Sequence, residues 1–147
     1  MVKLLEMKVK AVTLDQGGGF LVLLVDQAET KVLPIAIGPF EAQSIALVLQ
    51  GGASPRPLTH DLLKSICEKL GGTLKKIVIT NIIESTLYAE LYLEYQGEEL
   101  ILDSRPSDAI ALALRWEAAI YMAPRLVEFT YDYQDIIADD QKKEDLH

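Results

Sequence analysis

Cysteine is almost missing from this chain: Cys67 is the only one in 147 residues. That excludes an intrachain disulfide and a cysteine-rich zinc site. Cys67 falls on the apolar side of a helical pattern, which predicts a packed thiol rather than a reactive one. Histidine is scarce too, with only His60 and the terminal His147. No run approaches the roughly 18 uncharged apolar residues of a membrane span. The opening MVKLLEMKVK is interrupted by charges and lacks the apolar core and cleavage site of a signal peptide. The expectation is a cytoplasmic protein with no membrane attachment. Familiar catalytic signatures are absent as well: there is no H-E-x-x-H and no G-x-S-x-G. The glycines at 17–19 are not followed by G-K-[ST] or G-x-G-x-x-G, so they read as a hairpin turn rather than a phosphate loop.

Positive charge is in deficit. Fourteen Lys and Arg stand against 22 Asp and Glu, a net charge of −8. The stretch 132–147 alone carries six acids and two lysines. Its weak periodicity predicts a solvated, partly disordered tail (131–147) after a single domain (1–130). Affinity for nucleic-acid phosphates comes mainly from Lys and Arg. The balance therefore argues against an ordinary nucleic-acid binder, unless carboxylate-held cations supply the positive charge.

What the chain does have is apolar patterning. Half of its residues are hydrophobic, enough for a real core. Strands are predicted at 2–15, 20–26 and 31–37, with Pro34 marking an edge or bulge. A helix over 39–50 opens with Pro39 and stops at Gly51-Gly52. A second helix over 59–70 takes Thr59 as its N-cap and has Leu62, Leu63, Ile66, Cys67 and Leu70 as a stripe expected to be buried. Strands follow at 74–83, 86–95 and 98–103, with a turn at Gln96-Gly97. A helix over 106–116, a short strand near 119–122 and a helical turn after Pro124 complete the pattern. On the strand 86–95, Leu87, Ala89, Leu91 and Leu93 alternate with Tyr88, Glu90, Tyr92 and Glu94. The two tyrosines are the expected mark of an interface between subunits.

Sliding the chain by 67 residues, so that Pro39 meets Pro106, brings Lys8 onto Lys75, Thr13 onto Thr80, Leu24 onto Leu91, and Ala42 onto Ala109. Turns and helix starts coincide. The expectation is an α+β fold, with mixed or antiparallel sheets built from a duplicated βββα unit and helices packed on the sheet.

The repeat places Glu41 and Asp108 at equivalent points, in PFEA and PSDA. An acid in a helix's first turn interacts well with the free N–H groups there, so both could be simple caps. Asp103, Ser104 and Arg105 just before the third helix exceed what capping requires. Pro106 forces Arg105 into an extended conformation. Asp103 and Asp108 flanking one junction could share a cation, or Arg105 could neutralise one of them. A third cluster, RPLTHD, holds Arg56, His60 and Asp61. His60 can serve as general base or metal ligand, or sit idle on a helix. Ser104 or Ser107 could act as a nucleophile only with His60 beside it.

The stretches GPFEAQSIALVLQG (38–51), RPLTHDLL (56–63) and DSRPSDAIALALR (103–115) together resemble the bifunctional nuclease (DNase-RNase) domain family over roughly residues 5–130. The resemblance implies an α+β domain, a homodimer, and cleavage of DNA and RNA. The positions it carries over are Glu41, Gln43, Arg56, His60, Asp61, Asp103, Arg105, Ser107 and Asp108. Phosphodiester hydrolysis needs an activated water, neutralised phosphate charge and a protonated leaving oxygen. In that scheme Asp103, Asp108 and Glu41 or Asp61 would hold Mg²⁺ or Mn²⁺. Arg56 and Arg105 would grip phosphate oxygens, and His60 would move the proton. The competing expectation is a homodimeric binding or regulatory module in which the same residues only cap helices and pair charges.

Overall fold

The computed structural model describes residues 3–136. His147 and most of the expected acidic tail lie outside the described residues. The elements are β1 (Leu5–Leu14), β2 (Phe20–Asp26), β3 (Lys31–Ile37), α1 (Pro39–Leu49), α2 (Thr59–Lys69), β4 (Gly72–Ile83), β5 (Thr86–Tyr95), β6 (Glu98–Ser104), α3 (Pro106–Trp116), β7 (Ala119–Met122), a 3-10 turn (Pro124–Phe129) and β8 (Tyr131–Asp132). This is an α+β fold. One eight-stranded sheet runs β6-β5-β4-β7-β1-β2-β3-β8. Every pairing is antiparallel except β4 with β7.

Alternation along the strands selects the covered face. Val22, Leu24, Leu33, Ile35, Ile77, Ile79, Ala89 and Leu91 point to the core and meet Ile45 of α1 and the buried side of α3. α3 lies in the middle of the helical layer and touches both other helices. Its run Ala109–Ala113 is buried throughout, the small side chains admitting close neighbours.

Two meanders, β1-β2-β3 and β4-β5-β6, flank β7 in mirrored order, each followed by a helix that starts with proline. Both prolines sit where a missing N–H costs nothing.

Helix α2 departs from expectation. Leu62, Leu63, Ile66 and Leu70 are all exposed, at 45–70%, and Cys67 is half-buried; His60 is the buried residue of this helix. The amphipathic stripe is real, but no element of the described chain covers it. The N-cap also shifts by one residue, to Leu58, whose N–H donates to Asp61 Oδ2 at 2.8 Å. The Asp61 carboxylate thus does the capping expected of Thr59.

A candidate acid–base pocket at three helix starts

Three helix N-termini converge on one pocket of about 230 Å³. α1 contributes Phe40, Glu41, Gln43 and Ser44; α2 contributes Thr59 and His60 behind its cap Leu58; α3 contributes Asp108 and its cap Arg105. Each helix start turns unpaired N–H groups and the positive end of its dipole inward.

His60 is 5% exposed, and both of its ring nitrogens are engaged. Nδ1 lies 2.8 Å from Ser44 Oγ, and Nε2 lies 2.9 Å from Asp108 Oδ1. An ionised carboxylate only accepts, so Nε2 carries the proton toward Asp108; in the neutral ring the Ser44 hydroxyl then donates to Nδ1. Asp108 Oδ2 accepts from Arg105 Nε at 2.9 Å, and Arg105 Nη2 reaches Glu41 Oε1 at 2.9 Å. The chain Ser44–His60–Asp108–Arg105–Glu41 is therefore continuous across three helices. Arg105 is extended on the backbone, as Pro106 requires, but its side chain folds back over the first turn of α3. Hydrogen bonding to Asp108, helped by Glu41, raises its pKa further. Gly38 matters here: a Cβ at that position would collide with Glu41 Oε2, so glycine lets Glu41 curl toward Arg105.

Glu41, His60, Arg105 and Asp108 thus meet in one place, with Gln43 on the same wall. The other expected residues lie elsewhere. Asp61 faces away, toward Arg115 Nε at 2.7 Å, where it caps α2 and pins it to α3. Burial pushes the Asp61 pKa up, but the Leu58 N–H and the Arg115 guanidinium outweigh it, and the net shift is downward. Arg56 is exposed in the α1–α2 connection and does not line the pocket. Asp103 is exposed at the end of β6, opposite Glu90, and lines a neighbouring groove. Ser107 is buried in α3, and the Ser104 hydroxyl donates to the Arg105 carbonyl; His60 bonds Ser44 instead. Sequence reasoning missed Ser44 and Arg115. Ser44 was detectable as a polar residue on the inner face of α1, where the repeat puts Ala111.

Glu41 and Asp108 are the two carboxylates that would hold a divalent cation here, and both are paired with Arg105. Among the described residues no three His, Cys, Asp or Glu side chains cluster as ligands. The place between Glu41 and Asp108, where a shared cation would sit, is filled by the Arg105 guanidinium.

The arrangement defines an α+β domain with a buried imidazole bonded to a partly exposed carboxylate beside an arginine. Its sequence matches the family model described as "Bifunctional nuclease domain" over residues 22–131, three quarters of the chain. The chain belongs to the bifunctional nuclease domain family. It is 40% identical over 118 residues to an uncharacterized protein of Mycobacterium tuberculosis, covering 80% of this chain and 70% of that one. It is 32% identical over 111 residues to Bifunctional nuclease 1 of Oryza sativa subsp. japonica, covering 72% of this chain and 33% of the relative. With Bifunctional nuclease 2 of Arabidopsis thaliana the identity is 26% over 103 residues, 68% of this chain and 31% of the relative. The chain therefore spans about a third of the relatives named as nucleases. No helix among the described residues is long and apolar enough to cross a membrane.

Proposed function

We propose that the pocket at the three helix starts hydrolyses phosphodiester bonds of DNA and RNA. The observation that carries this reading is the buried His60 imidazole bonded to the partly exposed Asp108 carboxylate, set against the exposed Arg105 guanidinium. Two-thirds of the Arg105 side chain faces solvent, so it can exchange one carboxylate partner for a phosphate oxygen. Asp108, released from Arg105 but still held by Nε2 of His60, takes a proton from the attacking water. The water oxygen forms the new bond to phosphorus as the ester P–O bond breaks. The proton leaves on the departing oxygen. Helix dipoles and Arg105 stabilise the charge gathering on the phosphoryl oxygens. The membership of the family and the names of the rice and Arabidopsis relatives support a nuclease.

One observation favours a second reading. Arg105 has its charge matched by two carboxylates, so the network also serves as a latch between α1 and α3 in a non-catalytic binding or regulatory module.

The test is cleavage of single-stranded DNA and RNA by wild type, Asp108→Ala and Asp103→Ala protein purified in parallel, each with Mg²⁺, with Mn²⁺ and with EDTA. The expected result is a loss of at least ~100-fold in Asp108→Ala, the scale of a lost acid–base group. Asp103→Ala should stay within about threefold of wild type, since Asp103 does not line the pocket. Equal activity in all three proteins would give the binding-module reading the stronger case.

A further inference from the structure

We infer that the apolar groove beside the pocket seats a nucleobase next to the phosphate held by Arg105, which makes unpaired, single-stranded nucleic acid the substrate class. The inference rests on the proposed phosphodiester chemistry and adds what is recognised. The groove lies between α2 and the β5–β6 end of the sheet. Its volume is about 600 Å³, within the ~300–1,000 Å³ of clefts that take small organic ligands. α2 contributes Leu63 and Ile66, the sheet contributes Leu93 and Leu102, and α3 contributes the half-buried Trp116. Leu102 is paired with Leu91, on the sheet face that bears the helices.

Two observations choose the occupant. The first is continuity: Arg105 and Asp108 line the groove as well as the pocket. A separate hollow of about 400 Å³, lined by Ile37, Gly38, Thr86 and Leu87, also reaches Arg105. Arg105 therefore stands where three spaces meet. A phosphate bound there leaves its two flanking nucleosides the groove and the hollow to occupy. An anionic amphiphile such as a fatty acid has one tail and would use only one of them. The second observation is charge. Lys64 Nζ lies 5.8 Å from the Trp116 ring. Among the described residues it bonds the Arg115 carbonyl at 3.0 Å and pairs with no acid. Arg105 caps the start of α3 and Trp116 ends it, so the two cations bracket the groove along that helix. An apolar cleft with an aromatic wall and cations along it matches a phosphate chain whose bases turn inward. Stacking on an aromatic face is tolerant of sequence and serves DNA and RNA alike. In a duplex the bases lie inside the stack and cannot enter a side groove without flipping out.

The test is binding to the full chain, read by the fluorescence of Trp116, the sole tryptophan. The probe is a single-stranded thymidine tetranucleotide with phosphorothioate linkages, which resist hydrolysis. It is compared with the same backbone without bases and with a hairpin duplex. The tetranucleotide should quench Trp116 saturably and bind at least ~10-fold more tightly than either comparison. Leu63→Asn and Leu102→Asn, at positions 45 and 47% exposed, should keep the wild-type circular dichroism. Each should bind the tetranucleotide about tenfold more weakly and the abasic backbone unchanged. Leu62→Asn, at an exposed position of α2 outside the groove, should bind as wild type does. Equal affinity with and without bases overturns the inference. So does full affinity in both groove variants, or a duplex bound as tightly as the single strand. Quenching by dodecanoate and not by the tetranucleotide overturns it too, and makes the groove an acyl site. Cleavage without base-dependent binding leaves the nuclease reading standing and removes this one. Base-dependent binding without cleavage keeps the role of the groove and removes the hydrolysis.

Discussion

Asp61 accepts the Leu58 N–H and the Nε–H of Arg115, whose side chain is only 5% exposed. Removing the carboxylate uncaps α2 and strands a buried guanidinium. Asp61→Ala should therefore cost about 2–3 kcal/mol in urea unfolding; the lower end is favoured because Asp61 is itself 38% exposed. Cleavage per folded molecule should not change, which separates Asp61 from its neighbour His60. The pH dependence carries a definite sign. Asp61 titrates below its ordinary value in the folded chain, so its contribution is complete above the unfolded value of about 4 and is lost as pH falls through the lower folded value. Asp26 behaves alike: burial raises its pKa, but the Lys31 N–H and the Thr30 hydroxyl and N–H more than reverse that. Stability should decline on acidification from about pH 5, and Asp61→Asn should flatten the decline, as read from urea midpoints at each pH. At this scale the sequence made half the site legible. Glu41, His60, Arg105 and Asp108 were visible as surplus charge at helix starts. Asp61 lies outside the pocket that its neighbour His60 lines, because adjacent residues in a helix point about 100° apart, and only the neighbouring helices decide which one faces it.

Helix α3 is the element on which the others depend. Its buried face alternates alanine with Ile110 and Leu112, and it is packed by α1, α2 and the sheet. Ala111→Leu should lower stability by about 2 kcal/mol through overpacking, and Ile110→Ala by about 3 kcal/mol through the cavity it leaves. Thermal unfolding of both checks the claim. The contrast with α2 shows where pattern reading stops. Periodicity picks out an apolar side of α2, yet most of that side is bare, whereas the apolar run of α3 is covered. Apolar residues at helical spacing mark the face that avoids water; they carry no information about what is available to cover it. The strands were legible for the opposite reason. Local alternation and turn residues fix a meander without reference to distant chain. β7 was visible as a strand, but its place between β1 and β4 was not, because that depends on residues 119–122 crossing the sheet. The repeat shows the same limit. Ala11–Leu23 and Val78–Glu90 pair at the 67-residue offset, whereas Leu24–Leu33 corresponds to Leu91–Leu102, two residues further on than the offset predicts. The second hairpin has ten residues between its paired leucines (92–101) where the first has eight (25–32), and those two extra residues are the slip.

For the molecule as a whole, the question is how a chain of net charge −8 would attract a polyanion. The pocket answers with geometry: three helix starts and one guanidinium face the same space. The place between Glu41 and Asp108 is taken by Arg105. For Mg²⁺ to bridge Glu41 and Asp108, Arg105 would have to leave two ion pairs of 2.9 and 2.8 Å. Mg²⁺ also gives up its water reluctantly, which a site with two partnered carboxylates does little to offset. Cleavage by wild type should thus hold within about threefold in EDTA. Arg105→Ala should lose about 100-fold, the usual scale for a charged group that stabilises the transition state. The same variant empties the space between the two carboxylates, so Mn²⁺ should bind there more tightly than in wild type. Electron paramagnetic resonance of added Mn²⁺ reads this directly, whatever the activity. Loss of all wild-type cleavage in EDTA with recovery on Mg²⁺, together with a Mn²⁺ signal in wild type, would mean that Arg105 yields its position to a cation when substrate is bound.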